Sequence, residues 1–67
     1  MKFINTGTIL ISTNTIKTIE VVSTRGKGNY AVYINGRYEY NPDRNEKMTL
    51  TEAEYIMDTL IAELEAE

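Results

Sequence analysis

The chain has no cysteine and no histidine. The first absence rules out disulfides and thiolate chemistry; the second removes the usual transition-metal ligand. Any catalytic nucleophile would need a carboxylate, Lys or Tyr as its partner. No such constellation stands out, because most carboxylates fall on one exposed helix face. No enzyme activity and no cofactor are therefore expected. Proline occurs once, at Pro42. No segment is apolar over the length of a signal-peptide core or a membrane span. The expectation is a soluble, cytoplasmic protein of bacterial or phage type, with no membrane contact.

At 67 residues the chain is read as one small domain, strand-rich over 1–41, a loop over 42–50 and a helix over 51–66. A domain of this size buries only about 60% of its unfolded surface and is marginal without a metal, disulfides or oligomerisation. With the first two gone, self-association remains, and a homodimer is expected. Charge is unevenly spread beneath the net −3. Residues 1–50 hold seven bases against four acids (Glu20, Glu39, Asp43 and Glu46), whereas residues 51–67 hold six acids and no base. The strand half is mildly basic and the helix acidic. That helps the helix dock and leaves the strands able to face an anion.

The C-terminal helix is the clearest element. Thr51 is a good N-cap residue, and Glu54, three residues on, completes a capping box. Leu50 and Tyr55 are placed to form a hydrophobic staple around it. Ala53, Ile56, Met57, Leu60, Ile61 and Leu64 recur at helical spacing over an arc of roughly 140° and mark the core side. Tyr55, Thr59, Ala62 and Ala66 form a second stripe, made mostly of small residues, that can accept another surface. Glu63, Glu65 and Glu67 stand at the end where the helix dipole disfavours them.

Ahead of the helix, Phe3 to Ile11 reads as a tight hairpin turning at Thr6-Gly7. Ile9, Leu10 and Ile11 in a row suit a strand covered on both faces. Ile16 to Ser23 is β-branched and partly alternating. Tyr30 to Ile34 and Arg37 to Tyr40 flank Asn35-Gly36, both of which accept the positive φ of a type I′ turn. Two registers compete. A two-residue loop sets Tyr33 opposite Tyr38 and Ala31 opposite Tyr40. A three-residue loop ending at Gly36 sets Val32 opposite Tyr38 and Tyr30 opposite Tyr40, which makes one face consistently apolar. Either way at least one tyrosine points away from the helix. Asn41-Pro42-Asp43 ends the run. The expected fold is α+β: an antiparallel meander of four to five strands with one C-terminal helix packed on one face.

Two motifs dissolve on inspection of their context. Gly26-Lys27-Gly28-Asn29-Tyr30-Ala31 has the spacing of a dinucleotide fingerprint, but a strand follows where a helix should. It reads as a flexible basic hairpin loop. Asn41, Asp43, Asn45 and Glu52 echo a calcium loop, but Glu46 stands where glycine is needed and a strand precedes the run. No metal is expected there.

Tyr30, Tyr33, Tyr38 and Tyr40, with Arg25, Lys27 and Arg37, form the group of most functional interest. Aromatics and bases on a sheet make a platform for single-stranded nucleic acid, where rings stack on bases and cations follow phosphates. The same tyrosines suit a core or a dimer interface, and the chain is acidic as a whole. The order of strands followed by Thr49-Leu50-Thr51-Glu52-Ala53-Glu54 resembles the small positive-cofactor-like single-stranded DNA-binding fold, in which a curved sheet precedes a dimerising helix. The resemblance covers about twenty residues by loose spacing criteria and lacks the dense basic strands of that family. The favoured reading is a small non-enzymatic protein–protein interaction or regulatory module, homodimeric, with an unknown protein as a further partner. Its interface is expected on the tyrosine face or on the Tyr55, Thr59 and Ala62 side of the helix. The rival reading is a single-stranded nucleic-acid-binding protein that uses the tyrosine and basic face.

Overall fold

The computed structural model describes residues 2–24 and 28–66. Strands β1 (Phe3–Asn5) and β2 (Leu10–Ser12) form a hairpin, and a 3-10 turn (Thr13–Thr15) follows. Strands β3 (Ile19–Ser23), β4 (Tyr30–Ile34) and β5 (Tyr38–Tyr40) lead on to helix α1 (Leu50–Glu65). The class is α+β, and every strand pair is antiparallel.

The strands do not make one meander. The β1–β2 hairpin is a sheet of its own, and β3, β4 and β5 form a second, in that order. The cause lies between β2 and β3, where the 3-10 turn breaks the ladder. Asn35 then takes the backbone groups that follow. Its Oδ1 accepts from the N–H groups of Lys17 (2.8 Å) and Thr18 (3.1 Å), and its Nδ2 donates to the Thr15 carbonyl (2.8 Å). The first hairpin instead meets the far edge of the second sheet, where the Asn41 N–H donates to the Thr6 carbonyl at 2.9 Å. Within that hairpin Ile4 and Ile11 stand opposite each other and are buried. Ile9 and Leu10 are exposed, against the expectation of a strand covered on both faces. A two-stranded hairpin lying on a core has only its inner face covered, so only Ile11 of the three is buried.

The second hairpin adopts neither expected register. Asn35 (φ 57°) and Gly36 (φ 69°) form the left-handed turn, closed by the Arg37 N–H on the Ile34 carbonyl at 3.1 Å. Arg37 is then an extra residue, so Ile34 pairs with Tyr38, Tyr33 with Glu39 and Val32 with Tyr40. The loop has three residues, but it ends at Arg37 rather than Gly36. Pairing shifts by two from the expected three-residue case, which keeps side chains on the same faces. Relative to the two-residue case every β5 side chain is turned over.

The core gathers Ile4 and Ile11 from the first hairpin, Val32, Ile34 and Tyr40 from the sheet, and Ala53 and Leu60 from the helix. Helix α1 lies over β3 and β4, and Ile56, Met57 and Leu64 close around its buried side as the spacing predicts. Its start differs from the expected one. Thr49 is the N-cap: its Oγ1 accepts from the Glu52 N–H (3.1 Å), and Glu52 Oε1 accepts from the Thr49 N–H (2.9 Å). Thr51 and Glu54 lie within the helix and are exposed, as are Leu50 and Tyr55, the pair expected as a staple. In the observed register the staple positions belong to Met48 and Ala53, both buried. The choice is made by β4. The Tyr30 N–H donates to the Met48 carbonyl at 2.9 Å, and the Met48 N–H donates to Asn29 Oδ1 at 3.2 Å. Those bonds hold the chain extended as far as Met48, and the helix begins directly beyond it.

Candidate functional site

The inserted Arg37 decides where the tyrosines go. Tyr30 shares a face of β4 with Val32 and Ile34, and Tyr38 and Tyr40 stand opposite Ile34 and Val32. All three rings therefore turn toward the helix, and all three belong to the core or pack against it. Tyr33 alone points to the other face. The four tyrosines do not form one surface, and the tyrosine face expected to pair with a partner is mostly taken up inside the fold. The Arg37 guanidinium lies 5.5 Å from the centre of the Tyr38 ring, within cation–π range. Arg25 and Lys27 lie outside the described residues.

On the open face of the second sheet Tyr33 stands between two acids. Glu20 of β3 is its cross-strand partner on one side and Glu39 of β5 on the other. A hollow of about 350 Å³ beside it is bounded by Glu20, Val22, Thr24 and Tyr33, with no base among its described residues. Two carboxylates flanking a ring repel a phosphate backbone rather than draw it in.

The second helix stripe is open. Tyr55 is 72% exposed, and Thr59 and Ala62 are exposed beside it. The Thr59 hydroxyl is occupied locally, donating to the Tyr55 carbonyl at 2.9 Å. A hollow of about 280 Å³ joins this side to Tyr40, Pro42, Asp43 and Glu63. Burial of the Tyr40 phenol raises its pKa, and the nearby charges of Glu63 and Asp43 raise it further.

Sequence reasoning missed the strongest exposed apolar pair. Phe3 and Leu10 are 59% and 66% exposed. They lie on the outward face of the first hairpin, since Phe3 pairs with Ser12 and Leu10 with Asn5 while Ile4 and Ile11 face inward. The alternation of Phe3 with Ile4 and of Leu10 with Ile11 was the available signal. A cleft of about 810 Å³ separates this hairpin's turn from β5 and is lined by Thr8, Arg37, Glu39, Arg44 and Glu46. Its two bases and two acids balance, and Arg44 is anchored by donating from Nη2 to the Gly7 carbonyl at 3.1 Å.

The remaining motifs resolve into local structure. Asn41 closes the loop after β5, donating from Nδ2 to the Asn45 carbonyl (2.8 Å) and accepting the Asn45 N–H on Oδ1 (3.1 Å). No group of three or more acids able to hold a metal occurs among the described residues. Of the glycine-rich loop only Gly28 onward is described; Gly28 has φ +73° and leads straight into β4. No helix is long and apolar enough to cross a membrane among the described residues. Set against protein-family models, curated proteins and solved structures, the chain matches none.

Proposed function

We propose that the protein is a small, non-enzymatic protein–protein interaction or regulatory module, working as a cytoplasmic homodimer. The observation that carries this reading is the separation of apolar residues. The tyrosines of β4 and β5 mostly serve the core, while Phe3 and Leu10 remain outside on one face of the first hairpin. A pair of large apolar side chains on one face of a hairpin is the kind of surface that a protein partner covers. Tyr55, with Thr59 and Ala62 beside it, supplies a second exposed patch on the helix. The small size and absence of staples support self-association. Nucleic-acid binding, the rival reading, has less support, because Tyr33 stands between Glu20 and Glu39.

Sedimentation equilibrium at micromolar concentration tests the homodimer. A mass of twice 7.7 kDa is expected. A well-folded monomer would remove the homodimer from this reading.

A further inference from the structure

The second sheet has two edges, and they are treated differently. Just beyond β5 the outward Asn41 N–H is taken by the Thr6 carbonyl at 2.9 Å, so the first hairpin meets that edge at its end. Among the described residues no hydrogen bond of that kind reaches strand β3. Its orientation follows from the bonds at its two ends. The Thr18 carbonyl accepts the Asn35 N–H at 2.8 Å, and the Thr24 N–H donates to the Asn29 carbonyl at 2.9 Å. Thr18, Glu20, Val22 and Thr24 thus aim their backbone groups at the β4 hairpin. By strand alternation Ile19, Val21 and Ser23 aim theirs outward. Among the described residues no hydrogen bond reaches those outward groups.

Apart from the charge of Glu20, nothing in β3 blunts this edge. Ile19-Glu20-Val21-Val22-Ser23 contains no proline, no lysine and no bulge, and its five residues pair with β4 without interruption. Natural edges carry such devices because an open row of donors and acceptors pairs with other strands. We propose that β3 is a docking edge for β3 of a second copy, paired antiparallel about a two-fold axis at Val21. This rests on the homodimer reading and names its seam.

The sequence of β3 is self-complementary in that register. Val21 meets Val21 of the partner subunit, Ile19 meets the partner's Ser23, and Glu20 meets the partner's Val22. Sliding two residues one way sets Glu20 against the partner's Glu20, which repels. Sliding the other way shortens the overlap. The centred register keeps every pair and opposes no like charges within the strand. An isologous contact of this kind closes on itself and leaves no free β3 edge. The two sheets then join as one of six strands.

The helix flank above the seam agrees with this. Thr59 and Glu63 share a hollow with Tyr40 of β5, so that side of the helix faces β5. Ile61, roughly 200° around from Thr59, is turned toward the β3 edge and is half-buried. A two-fold axis normal to the sheet brings this flank beside its copy.

Chemical synthesis of the full chain with N-methyl-Val21 gives a direct test. This removes only an outward N–H, so circular dichroism should match the unmodified chain. Both Val21-to-Val21 hydrogen bonds across the seam are lost, and the dimer dissociation constant should rise roughly thirtyfold. A dimer unchanged by N-methylation overturns the β3 seam while leaving the homodimer reading intact. A monomeric unmodified chain overturns both. If the modified chain does not fold, single cysteines decide, since the sequence has none of its own. Glu20→Cys mixed with Val22→Cys should form disulfide-linked pairs in preference to either variant alone, because these positions face each other on the open side of the sheet. Equal linkage, or none, overturns the register.

Discussion

Gly7 lies directly against Asn41. A Cβ added to Gly7 would overlap the Asn41 carbonyl oxygen, and Gly7 holds φ +106°, where L side chains are strained. This close approach allows the turn of the first hairpin to reach the end of β5, where the Thr6 carbonyl meets the Asn41 N–H. The two sheets are joined at this point.

Gly7→Ala should therefore cost more than backbone conformation alone. Strain at such a φ costs about 1–3 kcal/mol, and the collision with Asn41 adds to it. Gly28 provides the control. Its φ is +73°, with nothing within 4 Å of an added Cβ, so Gly28→Ala should cost only about 1 kcal/mol. Urea titrations of both variants measure the difference; equal losses would show that the Gly7–Asn41 contact contributes nothing.

The helix cap separates two overlapping sequence signals. Thr49→Ala removes the hydroxyl that accepts from Glu52 and should destabilise by about 1 kcal/mol. Thr51→Ala changes an exposed side chain inside the first turn and should stay within about 0.5 kcal/mol of the parent. The reverse order in thermal or chemical denaturation would restore Thr51 as the cap.

Leu60→Ala should cost about 2–5 kcal/mol, because Leu60 is fully buried at the centre of the core and leaves a cavity. Glu63→Ala should cost little, since it removes a negative charge near the negative end of the helix. If both proved equally mild, the helix would not be a lid over the sheet.

Alkaline pH should weaken the fold through Tyr40. Its folded pKa lies above the ordinary value of 10.0, so the folded state holds the phenol proton more tightly than the unfolded chain does. That contribution is fully present below pH 10, the unfolded value, and is lost as pH rises through the folded one. Tyr40→Phe cannot ionise and should lose less stability than the parent between pH 9 and pH 11, to about one unit either side of that ordinary value. Parallel stability curves for the two proteins would assign the alkaline loss to other groups.

Single-stranded oligonucleotides should show no salt-sensitive binding attributable to Tyr33. Its two neighbours are carboxylates, and such binding depends on phosphate neutralisation. Fluorescence anisotropy at low salt, with Tyr33→Ala beside the parent, checks this. Tight binding lost in Tyr33→Ala would revive the nucleic-acid reading.

Much of the architecture was legible in the residues. The apolar stripe of α1 and the Asn35-Gly36 turn are local features, with energetics set within a few residues, and both appear where their patterns place them. The same holds for the hairpin at Thr6-Gly7 and for the α+β class. The exposed Phe3 and Leu10 were partly legible through alternation. Their exposure depends on which hairpin face meets the core, and a three-residue strand does not encode that.

The sequence alone therefore determined the elements and the chemistry the chain lacks: no thiol, no imidazole, and a helix that must bury one side. Tertiary structure decided between local options of nearly equal free energy. Thr49 and Thr51 each start a capping box, and the bonds of Met48 to Asn29 and Tyr30 select the first. One inserted residue, Arg37, turns Tyr38 and Tyr40 into the core and leaves Tyr33 beside two acids. Asn35 and Asn41 each hold segments that local propensity leaves undirected. Local signals differ by about 1 kcal/mol, whereas the long-range burial of Val32, Ile34 and Leu60 is worth several times that and settles the competition.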